Sequence, residues 1–211
     1  MNMKSIIFDF DGVLADSFNQ LYALNKMAMA TVGVNLSESQ YRDFFMGNIH
    51  EAFRNFIKND TAYQKFSQIR QQNFDKYYLP VQLFFEVPEF LNKVKEKFVL
   101  IIASSGKQDR ITDLLKTGGL EKCFQIIAAS SDYSKERIIN EIVGQSGLSP
   151  AELILVSDTC GDLILAKKFG FKAIGASWGF QAPTKLELAG PDFIAENFSG
   201  LLQYLKKSEL K

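Results

Sequence analysis

The chain has 211 residues, 46% of them hydrophobic, which suits one large domain or a core with a smaller insertion and is enough to bury a proper apolar interior. Lys plus Arg and Asp plus Glu balance at 24 each, so no basic surplus points to nucleic acid or an anionic membrane, and a small molecule is the expected partner. The two cysteines, Cys123 and Cys160, lie far apart without CxxC or Cys/His spacing, which argues against a disulfide framework and a structural zinc site.

The first apolar run, Ile6-Ile7-Phe8, reads as a buried strand and ends in Asp9-Phe10-Asp11-Gly12. It is too short for a signal peptide, and no stretch has membrane-spanning length, so a cytoplasmic protein is expected. Residues two apart in a strand project to one face, so Asp9 and Asp11 should converge at its carboxyl end if extended geometry persists there. Two close carboxylates repel, and the pair suggests either a divalent cation or one protonated partner. A strand running into an Asp-Gly turn is the plainer alternative.

From about residue 18 to 78 the chain contains no proline and becomes rich in Gln, Asn, Phe, Met and Ala. Leu21, Leu24 and Ala28 share one helical face, and Phe53, Phe56, Ile57, Phe66, Ile69 and Phe74 continue the pattern. Ser37-Glu38-Ser39-Gln40 predicts a capping box at the start of a second helix. Met46 to His50 predicts the next turn, and the single histidine, His50, fits a structural or solvated place better than a catalytic one. This stretch reads as a helical insertion.

After Pro80 apolar runs alternate with amphipathic ones. Strands are predicted at 99–103, 125–128, 153–156, 172–176 and 193–195, with helices over 109–115, 135–143 and 162–169. The expected fold is α/β: a Rossmann-like, mostly parallel sheet with helices on both faces, formed by residues 1–14 and 81–211, and interrupted by a helical unit over 15–80. Ligands of such sheets bind at the carboxyl ends of strands, where Asp9 and Asp11 stand. At another strand end, Ser104-Ser105-Gly106-Lys107 offers a hydroxyl and a run of backbone N–H groups suited to phosphate oxygens.

Asp9-x-Asp11-Gly12, followed by Asp16-Ser17, resembles the first signature of the haloacid dehalogenase superfamily in its phosphatase form. The resemblance implies that Asp9 is a nucleophile and Asp11 a general acid/base. Three further elements match in order. Ser104 after its apolar strand resembles the second signature, and Lys135 the third, although close relatives often follow that lysine with Pro and this chain has Glu136. Lys107 and Lys122 are the competing lysines. Leu155-Val156-Ser157-Asp158, with Asp162 four residues on, resembles the fourth, where Ser157 replaces a usual Gly. What this implies is a Mg²⁺ site made by Asp9, Asp158 and the backbone carbonyl of Asp11, supported from behind by Asp162. Gly175 to Phe180 and Ala189 to Ile194 resemble the tail of the phosphoglycolate-phosphatase-like branch. Its helical cap then corresponds to the insertion.

The expected activity is therefore Mg²⁺-dependent hydrolysis of a small phosphorylated metabolite through an aspartyl-phosphate, with Ser104 and Lys135 holding the phosphoryl oxygens. One alternative is a β-phosphoglucomutase-like phosphomutase, disfavoured because Leu21 stands where sugar mutases tend to carry a hinge His. Another is a non-catalytic phosphometabolite-binding protein, disfavoured because no core acid is missing. Specificity is expected to lie around Phe18 to Tyr22 and Gly47 to Glu51, which carry no decisive sugar, nucleotide or acid signature.

Overall fold

The computed structural model describes residues 4–130, 134–147 and 149–209. Its elements in chain order begin with β1 (Ser5–Phe8), β2 (Ala15–Asp16) and four helices, α1 (Phe18–Ala30), α2 (Glu38–Asp43), α3 (Ile49–Ile57) and α4 (Asp60–Tyr78). There follow β3 (Gln82–Leu83), α5 (Val87–Val94), β4 (Val99–Ser104), α6 (Gln108–Thr117), β5 (Ile126–Ala129), α7 (Lys135–Ser146), β6 (Leu153–Ser157) and α8 (Cys160–Lys168). The chain closes with β7 (Lys172–Ala176), α9 (Pro183–Leu186), β8 (Phe193–Ala195) and α10 (Phe198–Glu209).

Six strands form one parallel sheet in the order β5-β4-β1-β6-β7-β8. The expected α/β class is borne out, because apolar runs buried on both faces can only be covered by helices on both sides. β1 is buried along its whole length between β4 and β6. Its register pairs Phe8 with both Ile102 and Val156. The three strands consequently run out side by side, with Ser104 closing β4 and Asp9 and Asp158 each one residue beyond β1 and β6. Two apolar layers flank the sheet: Phe8 meets Phe90 edge-on at 6.0 Å, whereas Ile7, Ile101 and Leu155 face α7 and α8 through Ile138, Ile139 and Leu163.

The predicted capping box is present, with Ser37 accepting from the Gln40 N–H and the Gln40 side chain accepting from Ser37 N–H at 2.9 Å. The two-residue ribbon β2/β3 and the helices α5 and α10 were not anticipated. The ribbon is too short to carry a period, and it closes the base of the helical unit by pairing Ala15 with Leu83 and Asp16 with Gln82. That unit rests on the sheet end through Phe180, whose ring meets Phe18 at 5.1 Å and Phe45 at 5.0 Å. Gln181 adds a polar clasp, donating to the Arg42 carbonyl at 2.9 Å and accepting from the Cys160 N–H at 2.6 Å. Among the described residues no helix is long and apolar enough to cross a membrane.

Phe90 ties α5 to β1 through Phe8 and to α10 through Phe198 at 5.3 Å. Phe90→Ala is expected to cost about 3–5 kcal/mol in urea unfolding; a loss below about 1 kcal/mol would show that this layer does not hold the sheet.

Candidate active site

The chain leaves β1 through a turn that only glycine accommodates. Gly12 has φ +80°, and a Cβ there would overlap the Asp158 carboxylate and lie 2.6 Å from the Phe180 ring. The turn is closed by the Leu14 and Ala15 N–H groups, each donating to the Phe10 carbonyl at 2.9 Å. Asp9 continues the ladder by donating its N–H to the Val156 carbonyl at 2.9 Å. Asp9 and Asp11 both line a cavity of about 540 Å³ between the sheet end and the helical unit, as do Ser104, Lys135 and Asp162.

Lys135, the first residue of α7, sends its ammonium back to the strand ends. Nζ donates to Asp9 Oδ1 at 2.6 Å and to the Ala103 carbonyl at 2.9 Å, and lies 3.1 Å from Asp162 Oδ2. Three acceptors match its three N–H bonds. Of the competing lysines, Lys107 lines the cavity but pairs with Asp75 at 3.4 Å, and Lys122 is exposed on the short turn of 121–123. Asp162 is held in turn by the Ser157 hydroxyl at 3.0 Å. A glycine at 157 could not make that bond.

Asp158 is fully buried behind the Gly12 turn and does not line the cavity. Its Oδ2 accepts from the Phe180 N–H at 2.7 Å, whereas Oδ1 has no hydrogen-bond partner among the described residues. A Cβ at Gly179 would overlap this carboxylate and come within 2.5 Å of the Gly12 carbonyl. A buried carboxylate oxygen left unpaired is costly. Here the cost is compounded by Asp9, since burial first and the Asp9 charge second push the Asp158 pKa well above the usual range. Among the described residues no three acidic, His or Cys side chains form a metal cluster. Mg²⁺, however, commonly takes one or two carboxylates and completes its shell with carbonyl, phosphate and water oxygens. An orphaned carboxylate oxygen beside a second buried carboxylate is a hard-oxygen donor set that fits such an ion.

Ser104 is buried, and its hydroxyl accepts from the Gly106 N–H at 3.0 Å. A Cβ at Gly106 would stand 3.2 Å from that hydroxyl and 3.3 Å from Asp11 Oδ2, so the loop passes close to the acid. Asp11 Oδ1 accepts from the Tyr78 hydroxyl at 2.8 Å, a contact from the last turn of α4. Burial raises the Asp11 pKa. Burial also raises Asp9 to about 7 against the pull of Lys135, with the Asp162 charge adding to the rise. Asp162 is lowered: burial opposes ionisation, but Lys135 and the hydrogen bonds from its neighbours outweigh it. The lysine is likewise pressed down by burial, and Asp162 and Asp9 outweigh that, so it stays charged.

Asp9, Asp11, Ser104, Lys135, Asp158 and Asp162 thus meet at or directly behind one cavity, and Lys122 does not. His50 is on its wall with Gly47 and Asn48, remote from any hydrogen bond to Asp9 or Asp11 among the described residues. Ser157, Tyr78 and Arg70 were not singled out as polar members of the site. Tyr78 and Arg70 carry a signal in retrospect, because Phe66, Arg70, Phe74 and Tyr78 recur every fourth residue along α4, one stripe of a helix.

The sequence from residue 6 to 176 matches the family of haloacid dehalogenase-like hydrolases. The chain belongs to that family. Among curated relatives it is similar to a phosphoglycolate phosphatase of Synechococcus elongatus, 28% identical over 95% of this chain and 96% of that one. It is 24% identical to a phosphoglycolate phosphatase of Vibrio parahaemolyticus over 98% of both. Its fold is similar to those of a haloacid dehalogenase-like hydrolase from Streptococcus pneumoniae (TM-score 0.83, 24% identity, 96% and 98% of the two chains) and a hydrolase from Pseudomonas syringae (TM-score 0.83, 23% identity, 97% and 98%). Membership and relatives together support the expected class, a phosphoric monoester hydrolase of this superfamily.

Lys135→Met would leave Asp9 and Asp162 buried without their cation. In chelator at neutral pH it is expected to destabilise the protein by about 3–5 kcal/mol. Lys135 opposes the rise that burial gives Asp9 and keeps Asp162 low, so without it both carboxyl groups rise further, the folded variant binds more protons than folded wild type near neutrality, and the deficit should shrink as pH falls toward 5. Urea unfolding at both pH values checks this, and a deficit that grows on acidification would contradict it.

Proposed function

We propose that this chain is a cytoplasmic phosphatase that hydrolyses a small phosphorylated metabolite through a phosphorylated Asp9, with Mg²⁺ as cofactor. The observation that supports it most is the Lys135 ammonium bound to Asp9 at 2.6 Å on a wall shared with Ser104 and Asp11. That arrangement combines a nucleophile, a fixed cation for the phosphoryl oxygens and a carboxyl group for the leaving oxygen.

Asp9 Oδ1 is engaged by Lys135 and by the Phe10 N–H at 2.8 Å. Oδ2 is then the oxygen that attacks phosphorus, and the bond from phosphorus to the substrate alkoxide breaks as the Asp9–phosphorus bond forms. Asp11, held by Tyr78 through Oδ1, gives its proton from Oδ2 to the departing oxygen. Its pKa, raised by burial, suits that acid role. In the second half Asp11 takes a proton from water, the water oxygen bonds to phosphorus, and the Asp9 carboxylate leaves. Ser104 and Lys135 hold the phosphoryl oxygens throughout. Mg²⁺, held by Asp9, Asp158 and the Asp11 carbonyl with Asp162 in support through Lys135, would supply the positive charge that phosphoryl transfer needs.

Residues 1–14 and 81–211 act in this reading as the catalytic core, and 15–80 as a cap that restricts water. Leu21 on the cavity wall has no proton to exchange with a second hydroxyl, which favours release of phosphate over its return to the substrate.

Asp9→Asn is expected to lower kcat by more than about 10⁴-fold and Asp11→Asn by about 10²–10⁴-fold, with thermal unfolding midpoints close to wild type. A folded Asp9→Asn protein with wild-type turnover would refute the covalent route. Activity should vanish in chelator and return with Mg²⁺, and Asp158→Ala should need far more Mg²⁺ to reach half its maximal rate. Full activity in exhaustive chelator would refute the metal. ³¹P NMR should show inorganic phosphate and no positional isomer from a sugar phosphate; isomer forming faster than phosphate would make the enzyme a mutase.

A further inference from the structure

The two connections of the helical unit meet beside Asp11. Asp11 itself bridges to Ala15, and Ala15 pairs with Leu83 on the strand by which the chain returns to the sheet. The Phe84 N–H adds a bond to the Leu14 carbonyl at 2.9 Å. α4 ends at Tyr78, just before that return, and the Val81 N–H donates to the Tyr78 carbonyl at 2.9 Å. The last residue of the helix is thereby brought against an acid 67 positions earlier in the chain.

Tyr78 is buried, its ring stacked on Phe74 with centroids 4.9 Å apart. A buried phenol needs an acceptor, and this one donates to Asp11 Oδ1 at 2.8 Å. Burial first and the Asp11 charge second raise its pKa, so the phenol keeps its proton to donate. Arg70, on the same stripe of α4 and held at Nε by Asn25 Oδ1 at 3.0 Å, faces Asp11 as a positive charge. The second oxygen of Asp11 points the other way: a Cβ built on Gly106 would stand 3.3 Å from Oδ2 and 3.2 Å from the Ser104 hydroxyl. One bond therefore orients the whole carboxyl group, with Oδ1 toward α4 and Oδ2 toward the loop of Ser104. When Asp11 is protonated, a donor on Oδ1 leaves Oδ2 as the oxygen that carries the proton.

We propose that Tyr78 is a positioning residue that sets the leaving-group range of the enzyme: by donating to Oδ1 it keeps the Asp11 proton on Oδ2, and so makes esters of unactivated alcohols cleavable. The inference rests on the phosphatase reading above and adds to it the part the helical unit plays in proton delivery. As the bond from phosphorus to the leaving oxygen breaks, the Asp11 Oδ2–H bond breaks and the alcohol O–H bond forms, while Tyr78 gives up no proton. An alkoxide is a strong base and needs that proton to depart, whereas p-nitrophenolate is a weak base and leaves without it. Removal of the phenol hydroxyl is therefore felt in proportion to the basicity of the alcohol.

The test measures kcat/KM, which covers only the steps up to departure of the alcohol, for p-nitrophenyl phosphate, phenyl phosphate and 2-phosphoglycolate in wild type and Tyr78→Phe. The variant keeps the ring that stacks on Phe74, and thermal unfolding checks its fold. Tyr78→Phe should lose at least about tenfold more on 2-phosphoglycolate than on p-nitrophenyl phosphate, the scale of a hydrogen bond to a charged group, with phenyl phosphate between them. Equal losses on the three esters would make Tyr78 a structural support of the helical unit and overturn the proposal. Wild type supplies a second check that needs no variant to fold. Its kcat/KM should fall from p-nitrophenyl to phenyl phosphate by less than about 10²-fold, the least that a positioned general acid contributes; a steeper fall would show that no proton is presented to the leaving oxygen and would overturn the inference. Wild type that cleaves none of the three would refute the phosphatase reading and the proposal together, whereas cleavage with equal losses refutes the role of Tyr78 alone.

Discussion

The site depends on one buried ammonium group. Asp9 and Asp162 project into the same low-dielectric space, where two carboxylates repel and each alone is penalised for losing water. Lys135 joins them at 2.6 and 3.1 Å and spends its third N–H on the Ala103 carbonyl. It thereby ties the start of α7 to β1, β4 and α8. The charges also divide unevenly: Asp162 is stabilised as a carboxylate by Lys135 and Ser157, while Asp9 is pushed up by burial and by Asp162. This polarity makes sense of a serine at 157, whose hydroxyl fixes the anion that holds the lysine that meets Asp9.

A second constraint couples the helical unit to the far side of the site. The Phe180 N–H holds Asp158, and the ring of the same residue takes Phe18 and Phe45 from the helices. The backbone around it has room only for glycine at 12 and 179, because a side chain at either would collide with the Asp158 carboxylate. Gly161 is packed against Gly47 in the same way, a Cβ there standing 2.8 Å from the Gly47 carbonyl. Seating of the helices and orientation of Asp158 are therefore not independent, and a shift of one is transmitted to the other through rigid, close-packed groups.

Most of the sheet was legible because its strands are continuous apolar runs and its helices keep a regular face, the two strongest periodic signals a chain carries. The capping box of α2 was legible for a similar reason, since both partners lie three residues apart. The β2/β3 ribbon was not, because two residues have no period and their pairing joins positions 15 and 83. In the site, Asp9, Asp11, Ser104, Lys135, Asp158 and Asp162 were marked by position at strand ends and by family resemblance. Tyr78 and Arg70 lie on a helix that reads as ordinary amphipathic sequence.

What the sequence by itself determined is the six strands of the sheet and most of the helices around them, which follow from local periodicity, together with the acids at the strand ends and the family, which follow from the resemblance of the signatures. Tertiary structure decided which lysine reaches Asp9, that Ser157 serves Asp162, that Asp158 sits behind the cavity with one oxygen unpaired among the described residues, and that Arg70 lines the cavity. Each of these depends on distances between residues far apart in the chain, such as 126 positions between Asp9 and Lys135. Packing alone fixes those distances, because hydrogen bonds and charge pairing act over a few ångströms of space and are indifferent to separation along the chain.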